Sequence, residues 1–538
     1  MVTLLQVFCN AFYCSTFTVT LAFKAGLYIE LYLYFRGSLN LYVFYRCKMY
    51  SMRLTIERKP VKVSPDASRV IARYFFNGEE RAVELIRKIL ALDKDEVFGL
   101  ISPLLQDFSK RHRNITRKLL NNCERVKKYI PMAGGDYEKL DEYCKLLIGS
   151  YFTHEYSIES AAFFNPSIVP DPDQSNLEEG QLRVIISFRA VGEGHVSSVA
   201  FRRALIDRNN DITVMAASNY IDEAEKIHNV VYQKRLFLKK AQEADINEEF
   251  LTAVTENLGD RFDYDELKKI VVEAKANTNE ADKIRQYNLV LALSDSYRRI
   301  SFSKDTDISD RVIFPISDFE SKGIEDARFV KFTDDHGRVA YYATYTAYDG
   351  VHIMPKLLKT TDFYEFKTSP LNGPGAKNKN LALFPRKING KYAMLSRIDG
   401  WNNYLMYSEN INEWDDPVKI QGPEYPWEFV QIGNCGSPIE TKDGWLVLTH
   451  AVGSMRRYSI AASLLDIDDP SIEIGRLKDP LILPNPDERE GYVPNVVYSC
   501  GGIIHNGELI IPYGLSDHSS GFATVSLDTL LDRLKNGG

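Results

Sequence analysis

Asp443-Gly444-Trp445-Leu446-Val447-Leu448-Thr449-His450 reads as a tight turn followed by an apolar strand. The same punctuation recurs at Asp335-His336-Gly337, Asn389-Gly390 and Asn506-Gly507, with glycines 53, 54 and 63 residues apart. Glycine takes the positive φ that a tight hairpin needs, so each pair marks a hairpin tip. A second echo keeps the register: Asp362-Phe363-Tyr364-Glu365-Phe366 matches Asn410-Ile411-Asn412-Glu413-Trp414, 48 residues on. Alternating strands are expected at 182–188, 196–201, 338–345, 392–396, 445–450 and 509–513. An earlier unit starts near Gly180 and is interrupted by a helical block. The pattern predicts a mainly β fold, a five-bladed β-propeller with an α-helical N-terminal region and a helical insertion. A β-sandwich with long loops is the alternative, and it leaves the ordered echoes unexplained.

Working outward, residues 66–150 and about 221–297 carry apolar residues at three-and-four spacing, as in Glu80–Leu90, and predict helices. The expected division is 52–150 helical, then 151–538 as the β body with the helical insertion. Residues 1–51 differ in texture. Val2–Phe23 is 22 residues without a charge, long enough to cross a bilayer, and at Met52 the sequence turns abruptly charged and alternating. An over-extended gene start is the favoured reading of this stretch, and a membrane anchor is its rival.

The 538-residue chain has 66 Lys plus Arg against 73 Asp plus Glu, a formal net charge of −7, which gives no support for a nucleic-acid partner. Seven Cys form no CxxC pair and nine His form no HExxH, so neither a disulfide framework nor a metal site is expected. The thiols point to a reducing, cytoplasmic location. No Walker loop, nucleophile elbow or dinucleotide fingerprint is present.

A propeller binds ligands where residues from different blades converge, so candidates should recur once per blade. Four segments fit. Glu325, Asp326 and Arg328 precede a strand and supply acids beside a cation. Lys379, with Arg386 and Arg397 after it, could clamp an anion. Gly433–Pro438 leads to His450 at the end of its strand, and Tyr492–Val497, with Asn495, leads to Tyr513, Asp517 and His518. Taken singly, each has a commoner reading as a surface ion pair, a solvated lysine or a core histidine.

Together these segments resemble glycoside hydrolase family 130, the β-mannoside phosphorylases and β-mannosidases. The residues that carry the resemblance are Gly323–Arg328 with Tyr342–Asp349, Leu383–Lys387 with Gly390–Tyr392 and Ser396-Arg397, Ile432–Pro438 with Gly444–His450, Ser463–Asp466 with Asp469-Pro470, and Pro494–Val497. It covers roughly 150–538 and leaves the helical additions unexplained. It implies a five-bladed propeller that cleaves β-mannosides with inversion. Asp326 matches the general acid, whose proton is thought to pass through the mannose 3-hydroxyl. Lys379, Arg397 and His450 match positions that hold phosphate, which attacks the anomeric carbon to give α-mannose 1-phosphate. Asn165 and Arg189 would meet the sugar from the first blade, with Glu325, Arg328, Tyr345, Asp349, Asn495 and Asp517 as further substrate contacts. Inorganic phosphate is a co-substrate, and no cofactor or metal is implied.

One residue departs from the pattern: Gln431 stands where phosphorylases often carry Lys. Arg111 and Arg113 are candidates to replace that charge, against the blander reading of a solvated helix face. Three functions follow: a β-mannoside phosphorylase, an inverting β-mannosidase, and a carbohydrate-binding propeller without turnover. The helical additions are a candidate contact between copies of the chain or a lid.

Overall fold

The computed structural model describes residues 54–227 and 230–537 and, before them, only the backbone of four antiparallel strands between Thr3 and Met49. The two readings of residues 1–51 concern side chains and a context outside the described residues.

Among the described residues after the N-terminal strands, the body holds five antiparallel units in chain order. The first comprises Ala162–Pro170, Leu182–Val191, Ser197–Ile206 and Ile212–Val214. The second comprises Gly323–Thr333, Val339–Tyr348, Ile353–Thr360 and Glu365–Pro370, widened by Arg298–Ser301. The third comprises Ala382–Leu383, Tyr392–Ser396, Asn403–Ser408 and Val418–Gln421. The fourth begins with Gln431–Asn434 and Ile439–Thr441, then Gly444–Val452, Tyr458–Leu465 and Glu473–Arg476. The fifth begins with Val497–Tyr498 and Ile503–His505, then Glu508–Leu515 and Ser519–Ser526. Its outer strand is Glu57–Val63, from the other end of the chain.

The four expected tips all fall between the first and second strands of their units, with Gly337, Gly390, Gly444 and Gly507 at φ 76°, 78°, 140° and 77°. Gly180 occupies the same place in the first unit at φ 79°. That unit therefore begins at Ala162, before Gly180 rather than at it. The second echo sits in the turns between third and fourth strands. Asp362 accepts from the backbone of Tyr364 and Glu365, and Asn410 accepts from that of Asn412. Both turns bury an aromatic anchor, Phe366 or Trp414, worth about 1.5–3 kcal/mol for a side chain of the phenylalanine kind.

Each unit touches the next. Phe329 N donates to Ser167 Oγ, Thr333 N to Pro385 O, Ile432 N to Trp401 O and Tyr458 N to Asn495 O. The fifth returns to the first through Phe163 N to His518 O and Asn506 Nδ2 to Gly180 O. The first two units are not separate sheets. Ser197 pairs in parallel with Gly323, and together they form one sheet of twelve strands.

The region expected to be helical over 52–150 starts with the strand Glu57–Val63 and then carries four helices, Glu79–Leu90, Lys94–Phe108, Ile115–Arg125 and Glu142–Tyr151. Acids fill the first turn of Glu79–Leu90 and bases its last, matching the helix dipole. Asp93 and Glu96 form a capping box on the next helix. The insertion lies between the first and second units as Lys234–Glu243, Glu248–Thr255, Tyr264–Ala276 and Ala281–Ser294. Phe237, Leu267 and Val290 pack with Ile300 and Phe366 in one core, which fixes the insertion to the second unit. Among the described residues, no helix is long and apolar enough to cross a membrane.

Candidate active site

A cavity of about 270 Å³ opens where the five units meet, and every unit lines it. The first supplies Asn165 and Arg189, the second Glu325 and Asp326, the third Lys379 and Arg397, the fourth Gln431 and His450, and the fifth Tyr498 and Asp517. Arg189, Arg397, His450 and Asp517 occupy corresponding places, at or just beyond the second strand of each unit. Asn165 and Asp326 also correspond. Each sits on a first strand at positive φ, 49° and 51°, where the register to the second strand slips. A bulge re-aims its side chain, and strain of this kind persists where the surroundings enforce it.

Asn165 Nδ2 donates to Asp326 Oδ1 at 2.7 Å. Burial pushes the Asp326 carboxyl up, but Arg189, Arg328 and the Asn165 amide overcome it and hold it below the usual carboxylate range. Arg189 Nη1 and Arg328 Nη2 each stand 3.8 Å from it. Glu325 receives Arg189 at 2.8 Å and Lys379 at 2.6 Å. Asp517 is moved the other way, to about 6, by burial that Arg189 only partly offsets, with Asp326 adding to the rise. The two carboxyls are thus held apart in their titration, which is how one site keeps an ionised and a protonatable acid together.

Arg397 is buried and makes no ion pair among the described residues, and its Nε lacks a hydrogen-bond partner. Its Nη1 lies 3.3 Å from His450 Nε2, while His450 Nδ1 lies 3.2 Å from Asn434 O. The carbonyl can only accept, so Nδ1 carries the proton and Nε2 accepts from Arg397. Burial, with Arg397 and Arg328 nearby, holds the imidazole well below its ordinary pKa, so it is neutral. His450 therefore orients Arg397 and adds no cation of its own. Gly433 permits this packing, since a Cβ there would lie 2.5 Å from His450 Cε1. Beneath the pocket, Arg328 Nη2 donates to Tyr498 Oη at 2.6 Å, Asn380 Nδ2 donates to the same oxygen at 2.7 Å, and Asn434 Nδ2 donates to Asn380 O at 2.6 Å.

Four expected contacts stand elsewhere. Arg328 lies below the cavity wall rather than in it. Tyr345 is buried outside the cavity lining and donates to Glu320 at 2.9 Å. Asp349 is occupied by its own turn, accepting from Val351, His352 N and the His352 ring. Asn495 accepts from Arg489 at 2.7 Å. Arg111 pairs with Glu155 and Arg113 with Asp305, and neither lines the cavity where Gln431 stands. Arg456 does line the cavity, from a turn in which it and Met455 have positive φ. Sequence reasoning missed Arg456, Tyr458, Asn380 and Tyr498. Tyr498 could have been found, because it directly follows the fourth segment on the first strand of its unit. Among the described residues, no group of three or more His, Cys, Asp or Glu could hold a metal ion, and Cys123, Cys144, Cys435 and Cys500 are free thiols.

A family model described as beta-1,4-mannooligosaccharide phosphorylase matches residues 278–536. A 1,2-beta-oligomannan phosphorylase of Thermoanaerobacter sp. (strain X514) is 37% identical over 217 residues, 39% of this chain and 70% of that relative. A beta-1,2-mannobiose phosphorylase of Listeria innocua is 26% identical over 373 residues, 66% of this chain and 97% of the relative. Among solved structures, the Listeria innocua beta-1,2-mannobiose phosphorylase in complex with beta-1,2-mannobiose aligns at TM-score 0.42 and 21% identity, over 71% of this chain and 93% of that one.

Proposed function

This chain belongs to glycoside hydrolase family 130, and from that premise we propose that it cleaves β-mannosides by phosphorolysis with inversion, releasing α-mannose 1-phosphate. The observation that carries the reading is Arg397, a buried guanidinium beside Asp326 with no carboxylate partner among the described residues. Burying an unpaired charge is costly, and an arriving anion removes that cost. The cations in and under the cavity, Arg189, Arg328, Lys379, Arg397 and Arg456, face the carboxylates Glu325, Asp326 and Asp517. The balance is an excess of two positive charges, which matches a phosphate dianion.

In this reading Arg397 and Lys379 hold phosphate against the anomeric carbon, and the C1–O bond to the leaving sugar breaks as the phosphate C1–O bond forms. Fixed cations stabilise the transition state without reorganising. Asp326 passes a proton through the mannose 3-hydroxyl to the departing oxygen. A bound dianion offsets Arg189, Arg328 and Lys379, the cations that hold Asp326 low, so the carboxyl rises toward the range a general acid needs. Asn165, Arg189, Glu325 and Asp517 are assigned to the sugar, and Tyr345, Asp349 and Asn495 are not. Arg456 is assigned the charge that Gln431 does not supply.

We read the five units as blades of a five-bladed propeller. The cyclic contacts support this, as does the convergence of all five units on one cavity, with Glu57–Val63 closing the last blade. The free thiols suit a cytoplasmic enzyme, and the helical additions are a candidate contact between copies or a lid.

The test is incubation with β-1,2- and β-1,4-mannobiose, with and without inorganic phosphate. Mannose 1-phosphate formed only with phosphate is expected. Free mannose regardless of phosphate would overturn the proposal in favour of hydrolysis, and no turnover of any β-mannoside would favour a binding module.

A further inference from the structure

A cavity larger than the one just described lies elsewhere in the molecule. It measures about 610 Å³, adjoins a second of about 340 Å³, and lies between the N-terminal helices and the β body. Its size falls in the range of small-molecule sites. Helix Ile115–Arg125 forms one wall, with Lys118, Asn121 and Arg125 on one face at spacings of three and four. Opposite stand Arg73 and Tyr74 on the strand Val70–Tyr74, and the segment Phe314–Ile316.

The cations here are not alike. Lys118 is paired with Glu223, the one carboxylate in the larger cavity's lining. Arg125 and Arg73 make no ion pair among the described residues. Instead the Arg125 guanidinium lies 3.6 Å over the Tyr74 ring, and that of Arg73 lies 5.0 and 5.2 Å from the rings of Tyr156 and Phe314. Stacking on a ring leaves the guanidinium edge free, and that edge binds phosphate oxygens two at a time. Two uncommitted guanidiniums thus flank one cavity in a chain of formal net charge −7. Tyr74, Phe314 and Ile316 add an apolar wall, and Asn121 an exposed amide.

We propose that this groove binds a phosphomonoester carrying a sugar-sized body: the phosphoryl dianion between Arg73 and Arg125, the body against Tyr74 and Phe314. The proposal stands independently of the phosphorolytic reading, because the groove shares no residue with the catalytic cavity.

Glucose 6-phosphate is a suitable probe, being neither substrate nor product of the proposed reaction. Titrated calorimetrically into the full chain, it should bind at one site per chain, more tightly than inorganic phosphate, while glucose should not bind. Arg125→Gln removes an exposed side chain and Arg73→Lys keeps the charge but loses the fork. Each should weaken binding about tenfold or more, with mannoside cleavage and melting temperature unchanged. Absence of glucose 6-phosphate binding to the wild type, or equal binding to both variants, would overturn the proposal. Inorganic phosphate also has the catalytic cavity to bind, so its affinity for the groove is read from the part lost in Arg125→Gln, and a part equal to that of glucose 6-phosphate would overturn the sugar-sized body.

Discussion

Two clusters of buried charge lie in the second unit and its surroundings, and they are built oppositely. Around Glu320, every carboxylate lone pair is spoken for. Oε1 accepts from Lys356 at 2.7 Å and Tyr345 at 2.9 Å, and Oε2 accepts from Arg298 and from the backbone of Ile316 and Ser317. Burial pushes the Glu320 carboxyl up, but Arg298 and Lys356 hold it far below its ordinary range. Burial lowers Lys356 to about 8 despite Glu320 beside it. Around Asp326 the accounting is left open: Arg189 Nε, Arg328 Nε, Arg397 Nε and Asn165 Oδ1 have no hydrogen-bond partner among the described residues. The network around Glu320 is filled at its carboxylate, with Arg298 Nη1 and Ser317 Oγ left over, and holds the fold, whereas the open one leaves valence for a ligand. Tyr345 belongs to the closed network, which is why its sequence neighbourhood misleads.

Substitutions can break this contrast. The largest effect is expected at Asp326→Asn, which should lower kcat about 10²–10⁴-fold with a smaller loss of stability than Glu320→Gln. A normal rate would remove Asp326 from the chemistry. Glu320→Gln should do the reverse, costing about 3–5 kcal/mol of stability by leaving Arg298 and Lys356 uncompensated, as chemical denaturation would read. Arg397→Ala should raise the phosphate KM about ten- to a hundredfold with little change in KM for the mannoside. An equal rise in both would place Arg397 on the sugar.

The smaller effects sharpen the comparison. Asp517 titrates near 6 in the folded chain, above its ordinary 3.8. A carboxyl raised in this way stabilises the fold fully below about pH 4, and that contribution is lost as pH rises through about 6. Asp517→Asn should therefore flatten this part of the stability–pH profile, by on the order of 1–3 kcal/mol. A profile unchanged from wild type would exclude the raised carboxyl. Tyr345→Phe removes one of five donors to Glu320 and should cost about 1 kcal/mol with kinetics untouched. A changed mannoside KM would return Tyr345 to the site.

Much of the body was legible because its turns are obligatory. A tip that needs positive φ shows itself as glycine, and four such tips mark the register of the later units. The site was legible where a charged or polar residue follows an apolar run, as Arg397 does just after Tyr392–Ser396 and His450 does near the end of Gly444–Val452. Three things were not. The bulge that turns Asp326 into the cavity is a backbone event, with no side-chain signature. Glu320 lies in a connection that carries no period, so nothing announced that Tyr345 would face it. The strand Glu57–Val63 alternates visibly, yet its partner lies more than four hundred residues on, and pattern alone does not choose a partner. His450 matched a phosphate-holding position, but its neutrality follows from burial and from two arginines brought by other units.

If the open network around Arg397 and Asp326 transfers mannosyl groups to phosphate, it should also run in reverse. Given α-mannose 1-phosphate, the enzyme should release inorganic phosphate only when an acceptor sugar such as mannose is present, in step with disaccharide formation, and Arg397→Ala should suppress both. Phosphate released without an acceptor, or no release with mannose while β-mannosides are still cleaved, would contradict the account.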